Sequence, residues 1–229
     1  PEEGASIYYA VACTTDESEV RMSPTVHPIL RQSFAVIDQE MGHHSFSADE
    51  YAVVRRVIHS TADFEFQHLL QFSSGVIEDA IATLTQGTPI ITDVEMVARG
   101  IQRLVQDTFS NPIIAAVSTA SMAAPGQTRT ETGLLQCLEQ YPTGIYVIGN
   151  APTALLALCR HLQTAPKSPS LVIGAPVGFI SVVESKAALV QQPVPQIRIE
   201  GRKGGSPAAS AIINALIMLA WDRLSPRSP

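Results

Sequence analysis

Short runs of β-branched and other apolar residues alternate along the chain with segments that have a helical pattern. The apolar runs are PII (89–91), PIIAAVS (112–118), GIYVIG (144–149), SLVIGAP (170–176) and PQIRIE (195–200). Strands that alternate with helices in this way form βαβ units, in which a mostly parallel sheet is covered by helices on both faces. The pattern therefore predicts an α/β fold.

Several helix starts are marked by a Ser or Thr that is followed three residues later by Glu, the spacing of a capping box. The three pairs are Ser47 with Glu50, Thr92 with Glu95, and Thr128 with Glu131. Arg129 then falls in the first turn of its helix, where a cation opposes the helix macrodipole by about 0.3–1 kcal/mol. Two interpretations of Arg129 follow: an exposed side chain that bends back to solvent, or an anion clamp.

His59 lies at the end of the helix that begins near Ala48, in the stretch RRVIHSTADFEF (55–66). The free carbonyl groups of a last helical turn favour the charged imidazolium form. This setting suits a general acid, but also a capping or packed histidine. Asp63 either orients the imidazole and raises its pKa or faces solvent, and the two phenylalanines nearby either line a ligand or pack in the core.

The glycine-rich segment GRKGGSP (201–207) joins a predicted strand to a long apolar helix. Ser206 is a good N-cap and Pro207 suits the first helical position, so the glycines form a loop at a helix N-terminus. Exposed backbone N–H groups there, with Arg202 and Lys203, can hold a phosphate or carboxylate. The alternative is a flexible turn with solvated cations.

Two further loops directly follow apolar strands, which is where open parallel sheets bind their ligands. They are GNAPTAL (149–155) and GAPVGF (174–179). Their small residues would let a bulky ligand approach the backbone, although each could also be a tight turn.

Composition narrows the class of protein. The 229 residues suffice for one sizeable domain, and we predict a single domain over 1–229. Hydrophobic residues make up 45% and charged residues 16% of the chain, which excludes general disorder and favours buried or self-associating surfaces. The formal charge of −6, with only 15 Lys and Arg residues, argues against nucleic-acid binding.

The three cysteines, Cys13, Cys137 and Cys159, are far apart and have no CxxC spacing. They predict neither a disulfide framework nor a zinc site, and they fit a reducing cytoplasm. The longest apolar runs fall short of the roughly 20 residues that cross a bilayer, and no basic region followed by an apolar stretch opens the chain. We therefore expect a cytoplasmic protein without membrane association.

Seven ordered segments together resemble the precorrin-8X methylmutase family, including its cobalt-precorrin-8 members. They are HPILRQSFAVID (27–38), RRVIHSTADFEF (55–66), GTPIITDVEMVARGI (87–101), TRT (128–130), YVIGNAPTALL (146–156), GAPVGFISVVESKAAL (174–189) and GRKGGSPAASAIINAL (201–216). The resemblance covers about 27–217 and leaves the segments 1–25 and 225–229 unassigned.

The resemblance implies an isomerase that moves a methyl group from C11 to C12 on ring C of a corrin precursor. The product would be hydrogenobyrinate from precorrin-8X, or cobyrinate from cobalt-precorrin-8, and the sequence leaves this choice open. It also implies a homodimer with a three-layer, flavodoxin-like fold. No protein-bound cofactor or metal is implied, so cobalt would enter only as part of the substrate.

The resemblance places the catalytic acid at His59 and puts Ser33 and Arg129 at the ligand. A corrin precursor carries many acetate and propionate arms, so an acidic protein must gather cations and backbone donors at the site. We assign this role to the glycine-rich segment at 201–207, through Arg202, Lys203, Gly204 and Gly205, and to the loop at 149–155, through Asn150. A protonated histidine would polarise the conjugated ring, a contribution of about 10²- to 10⁴-fold for a general acid.

Two other functions remain open at this point. A non-catalytic corrinoid carrier would bind the product and hand it to the next enzyme, without turnover. An α/β enzyme for a phosphorylated metabolite is suggested by the glycine-rich loop alone, and it would bind nucleotides or sugar phosphates but no corrinoid.

Overall fold

A computed structural model of the protein describes residues 28–224, a range that contains six strands and ten helices. The strands are β1 (Leu70–Phe72), β2 (Ile90–Thr92), β3 (Ile113–Ala115), β4 (Ile145–Ile148), β5 (Leu171–Gly174) and β6 (Gln196–Ile199). The helices are α1 (Pro28–Met41), α2 (Ala48–Thr61), α3 (Phe66–Leu69), α4 (Val76–Thr85), α5 (Glu95–Asp107), α6 (Ala116–Thr119), α7 (Arg129–Gln140), α8 (Pro152–Leu162), α9 (Val182–Val190) and α10 (Ser206–Leu224).

All six strands form one sheet in the order β1-β6-β5-β4-β2-β3. Strands β2 to β6 run parallel to one another, and β1 runs antiparallel to β6 at one edge of the sheet. The parallel part, β3-β2-β4-β5-β6, has the strand order of flavodoxin-like folds. The predicted three-layer α/β fold is therefore confirmed.

Helices cover both faces of the sheet and form an apolar core on each. Successive side chains along a strand enter the two cores in turn. In β4, Ile145 and Val147 pack with α2, α4, α5 and α10, whereas Tyr146 and Ile148 pack with α7, α8 and α9. This alternation follows from the period of two along a strand. The strongly apolar α10 is buried on most of its surface because it packs against α2, α4 and α5.

The five strands predicted from apolar runs are confirmed in β2 to β6, although β3 to β6 are each shorter than their runs and β2 is displaced by one residue. The run at 112–118 is cut most, because the chain turns into α6 at residues 116–119. The edge strand β1 was not predicted: it has only three residues, and it follows the single turn of α3 without a loop.

The capping predictions have three outcomes. Ser47 and Glu50 form the full capping box at the start of α2. Thr128 caps α7 by accepting the N–H of Glu131 at 3.1 Å, but the Glu131 carboxylate pairs with an arginine of α8 instead. The prediction at Thr92 is wrong, because this residue ends β2 and its hydroxyl donates to a carbonyl.

The unassigned segments 1–25 and 225–229, and Cys13, lie outside the described residues. Cys137 and Cys159 are buried free thiols, and burial raises the pKa of both. Between residues 28 and 224, no helix is long and apolar enough to cross a membrane.

Candidate active site

The carboxyl end of the parallel sheet collects the loops that carry the predicted site residues. Asp93 directly follows β2, and its buried carboxylate accepts the N–H groups of Gly149, Asn150 and Ala151 at 3.0, 2.6 and 2.7 Å. This contact joins β2 to β4, the point where the strand order reverses and where such folds bind ligands. Burial raises the pKa of Asp93, and the backbone donors oppose that rise.

The contact with Asp93 changes the role of the predicted loop at 149–155. Its first three N–H groups already hold a carboxylate of the protein, so they are not available to a ligand carboxylate. The side chain of Asn150 is exposed beside them. This residue can therefore contact a ligand only through its side chain or its carbonyl group.

His59 lies in the last turn of α2, as predicted, and its side chain is exposed. The ring of Phe34, on α1, meets the imidazole edge-on with 5.5 Å between ring centroids. Ser33 precedes Phe34 in α1, and its hydroxyl donates to the carbonyl of Ile29 at 3.0 Å. Helix α1 thus brings Phe34 against His59, with Ser33 next to it in the chain, and the place of Ser33 at the ligand stays a prediction.

The expected imidazolium form of His59 is not what the free protein favours. Partial desolvation of the ring lowers the pKa of His59 below 6.5, and the positive charge of Arg56 lowers it further. Both effects favour the neutral imidazole in the ligand-free protein.

The two consecutive arginines of the motif have different environments. Arg55 pairs with Asp38 at 3.0 Å and lies 4.4 Å above the ring centroid of Phe34. Arg56 is half-buried, and between residues 28 and 224 it has no acidic partner. The sequence did not reveal this difference. A half-buried guanidinium without an acidic partner in these residues, one turn before His59, can receive a ligand carboxylate.

Asp63 does not orient the imidazole of His59. It accepts the N–H of Glu65 at 2.9 Å and an ammonium proton of Lys203 at 2.5 Å. Glu65 also pairs with Lys203. The hydrogen bond from Lys203 is the largest of the effects that lower the pKa of Asp63. Lys203 is therefore not the free cation that the sequence suggested: two carboxylates of the protein balance its charge and tie the glycine loop to the end of α2.

The loop at 201–205, called the glycine loop below, packs closely on the loop after β5. Gly205 donates its N–H to Ala175 O at 2.8 Å, and the carbonyl of Arg202 accepts the N–H of Gly178 at 3.3 Å. Gly204 has φ of +152°, and a Cβ there would lie 2.7 Å from Pro176 O and closer still to Ala175 O. Only glycine fits this position.

An apolar surface adjoins the glycine loop. Phe179 and Ile180 are each 82% exposed, and the guanidinium of Arg202 lies 5.8 Å from the ring centroid of Phe179. A cation beside exposed apolar side chains suits a ligand that is flat, apolar and edged with carboxylates.

Arg129 occupies the first position of α7, as predicted, and is exposed. Within the described part of the chain it has no acidic partner. The hydroxyls of Thr128 and Thr153 approach to 3.2 Å and hold the N-termini of α7 and α8 together. Arg129 and Asn150 therefore lie at the same edge of the sheet as the glycine loop.

The precorrin-8X methylmutase family model matches residues 28–219. The chain belongs to this family. It is 54% identical over 214 residues to the cobalt-precorrin-8 methylmutase of Synechocystis sp., covering 87% of this chain and 99% of that protein. It is 37% identical to the precorrin-8X methylmutase of Pseudomonas aeruginosa, with 82% and 93% covered. The crystal structure of a precorrin-8X methylmutase from Thermus thermophilus superposes with a TM-score of 0.78 at 40% identity, covering 86% of this chain and 99% of that one.

Family membership makes the protein an isomerase of corrin biosynthesis, and the carboxyl edge is where parallel α/β sheets bind their ligands. At that edge lie an imidazole, an exposed apolar surface and arginines without an acidic partner in residues 28–224, among them Arg56, Arg129 and Arg202. Such an edge can bind a carboxylate-rich macrocycle and present a proton donor to it.

Proposed function

We propose that the protein moves the methyl group from C11 to C12 of a corrin precursor, with His59 as the proton donor. The observation that supports this most directly is the placement of His59: it is exposed at the edge where the unpaired arginines and the apolar surface meet. Family membership supplies the reaction. A carrier would need the cations and the apolar surface, but it would have no use for the imidazole.

The first step of the proposed mechanism is the electrostatic binding of the substrate carboxylates. Substrate carboxylates bind Arg56, Arg129 and Arg202, while the macrocycle lies on the apolar surface that includes Phe179. Desolvation lowers the pKa of His59 most, and the charge of Arg56 lowers it further. A substrate carboxylate on Arg56 compensates that second effect and so favours the imidazolium form. The protonated ring then donates to the conjugated system and stabilises the charge that develops during the shift.

A 1,5-sigmatropic methyl shift needs neither a nucleophile nor a change in oxidation state. We therefore propose that the enzyme uses no cofactor or metal of its own. We also propose that the natural substrate is cobalt-precorrin-8, with cobalt carried inside the ring. The greater identity to the Synechocystis cobalt-precorrin-8 methylmutase, 54% against 37% for the Pseudomonas precorrin-8X enzyme, supports this choice.

We propose further that the enzyme is a cytoplasmic homodimer that passes its product to the next corrin-pathway enzyme. Exposed apolar side chains on α1, namely Ile29 at 65% and Val36 at 55%, support a self-associating surface. Two buried free cysteines fit a reducing compartment. Light scattering coupled to size-exclusion chromatography tests the dimer directly.

The function is tested by a visible-absorption time course with precorrin-8X and, separately, cobalt-precorrin-8. The wild type should convert the cobalt form faster, and His59→Ala should bind it normally but turn it over at least about 100-fold more slowly. His161→Ala, at the end of α8 away from the carboxyl edge, is the matched control. Full turnover by His59→Ala would falsify the role of His59. Tight binding without conversion by the wild type would favour the carrier.

A further inference from the structure

Lys186 is a buried cation that contacts the glycine loop. It lies on α9 with 3% of its surface exposed. Its ammonium group donates to Gly201 O at 2.8 Å and to Lys203 O at 2.7 Å. Within residues 28–224 no carboxylate pairs with it, and burial lowers its pKa to about 8.

An ammonium group without a counter-ion is costly to bury, and neutral carbonyl groups compensate only part of that cost. Both of its acceptors lie in one short segment of the glycine loop. Lys186 therefore fixes the orientation of two peptide groups, 201–202 and 203–204, from the side of α9.

That orientation determines where the matching N–H groups point. In a trans peptide the C=O and the N–H lie on opposite sides of the chain, and the described residues contain no cis peptide. The N–H groups of Arg202 and Gly204 consequently point away from α9. Neither of these N–H groups has an acceptor in the described part of the chain.

The same segment is held from three other directions. Lys203 pairs with Asp63 beyond the end of α2, Gly205 donates to Ala175 O, and the absence of a Cβ at Gly204 permits the close contact with the loop after β5. The two free N–H groups are thus presented in a fixed direction, with the cation of Arg202 beside them.

We propose that Lys186 is a positioning residue for substrate binding: it holds the glycine loop so that the N–H groups of Arg202 and Gly204 receive a substrate carboxylate. This rests on the proposed function, since the ligand is the corrinoid. Lys186 itself does not touch the substrate, and its buried positive charge adds to the attraction for the anion.

The test compares Lys186→Met, which keeps the length but removes the donors and the charge, with Lys186→Arg, which keeps both. Lys167→Met, at an exposed lysine, is the control for loss of one charge. We expect Lys186→Met to raise KM and the Kd of the product about tenfold or more with kcat changed less than about threefold. Lys186→Arg should recover most of the affinity.

An unchanged KM in folded Lys186→Met would overturn the proposal, and so would a loss confined to kcat. The amide resonances of Arg202 and Gly204 provide a test in the wild type that does not depend on a variant folding. Both should move downfield when the corrinoid product is added, and no shift in a saturated sample would refute the carboxylate contact. If the wild-type protein binds the corrinoid but does not convert it, the proposed function is wrong. The amide resonances of Arg202 and Gly204 still test, in that case, whether the glycine loop binds a carboxylate.

Discussion

Replacement of Asp93 by Asn perturbs the contact that holds β2 and β4 together at the carboxyl edge. The carboxylate accepts three N–H groups from the loop after β4, with Gly149 on one oxygen and Asn150 and Ala151 on the other. An amide offers only one acceptor oxygen, and its NH₂ group would face at least one N–H. The smallest loss results when the amide turns its oxygen toward Asn150 and Ala151 and leaves Gly149 without an acceptor.

The loss of unfolding free energy in this variant follows from these hydrogen bonds. A hydrogen bond to a charged group contributes about 1.5–3 kcal/mol, and a neutral acceptor contributes about half as much. One lost bond and two weakened ones amount to roughly 3–6 kcal/mol. Burying a neutral amide instead of a carboxylate recovers part of this, because burial disfavours the charged form of Asp93. We expect Asp93→Asn to lower the free energy of unfolding by about 2–4 kcal/mol, and Asp93→Ala to lower it further.

Urea denaturation at neutral pH, followed by far-UV circular dichroism, measures the change. Asp107→Asn is the matched control, since Asp107 makes an exposed i,i+4 pair with Arg103 at 3.5 Å that contributes about 0.3–0.5 kcal/mol. If Asp93→Asn is no less stable than Asp107→Asn, the buried carboxylate does not stabilise the loop after β4.

Three further predictions concern the same elements. Arg56→Gln should raise the pKa of His59, because the neutral side chain no longer repels the imidazolium; an NMR titration of the ring that shows no rise would exclude the coupling. Gly204→Ala should reduce kcat/KM at least about tenfold, since its Cβ would collide with Ala175 O and displace the glycine loop; wild-type kinetics in the folded variant would contradict this. Ser47→Ala should cost about 0.5–2 kcal/mol of unfolding free energy by removing the N-cap of α2, and a loss below that range would show that packing alone fixes this helix end.

Much of the fold was predictable because its signals are local. The buried strands β4 and β5 are continuous apolar runs, as parallel strands covered on both faces must be, and Ser47 with Glu50 marks the start of α2 within four residues. The edge strand β1 was missed because its three residues become a strand only by pairing with β6, more than one hundred residues later. Pairing of that kind leaves no local pattern.

The features of the site also divide into those that have a local sequence signal and those that depend on the folded chain. The positions of His59 and Arg129 at helix ends were readable from caps and charges. The partners of Lys203 were not, because Asp63 lies 140 residues away in sequence and only the fold brings the two side chains together. The lowered pKa of His59 was missed for a related reason: helix geometry suggested the dipole, whereas desolvation depends on packing that the sequence does not display.

The carboxyl edge of the sheet contains two sets of backbone donors, and the difference between them explains how one edge can be both stable and open to a ligand. The N–H groups at 149–151 are occupied by Asp93, a carboxylate of the protein itself, which fixes the junction of β2 and β4. The N–H groups of Arg202 and Gly204 have no such acceptor in residues 28–224, although Lys186 orients their peptide groups. A carboxylate from outside can therefore bind at the second set without displacing the first. If the arginines bind further carboxylates of the same ligand, Arg56 links the arrival of that negative charge to the protonation of His59, so that the acid becomes charged when the substrate is in place.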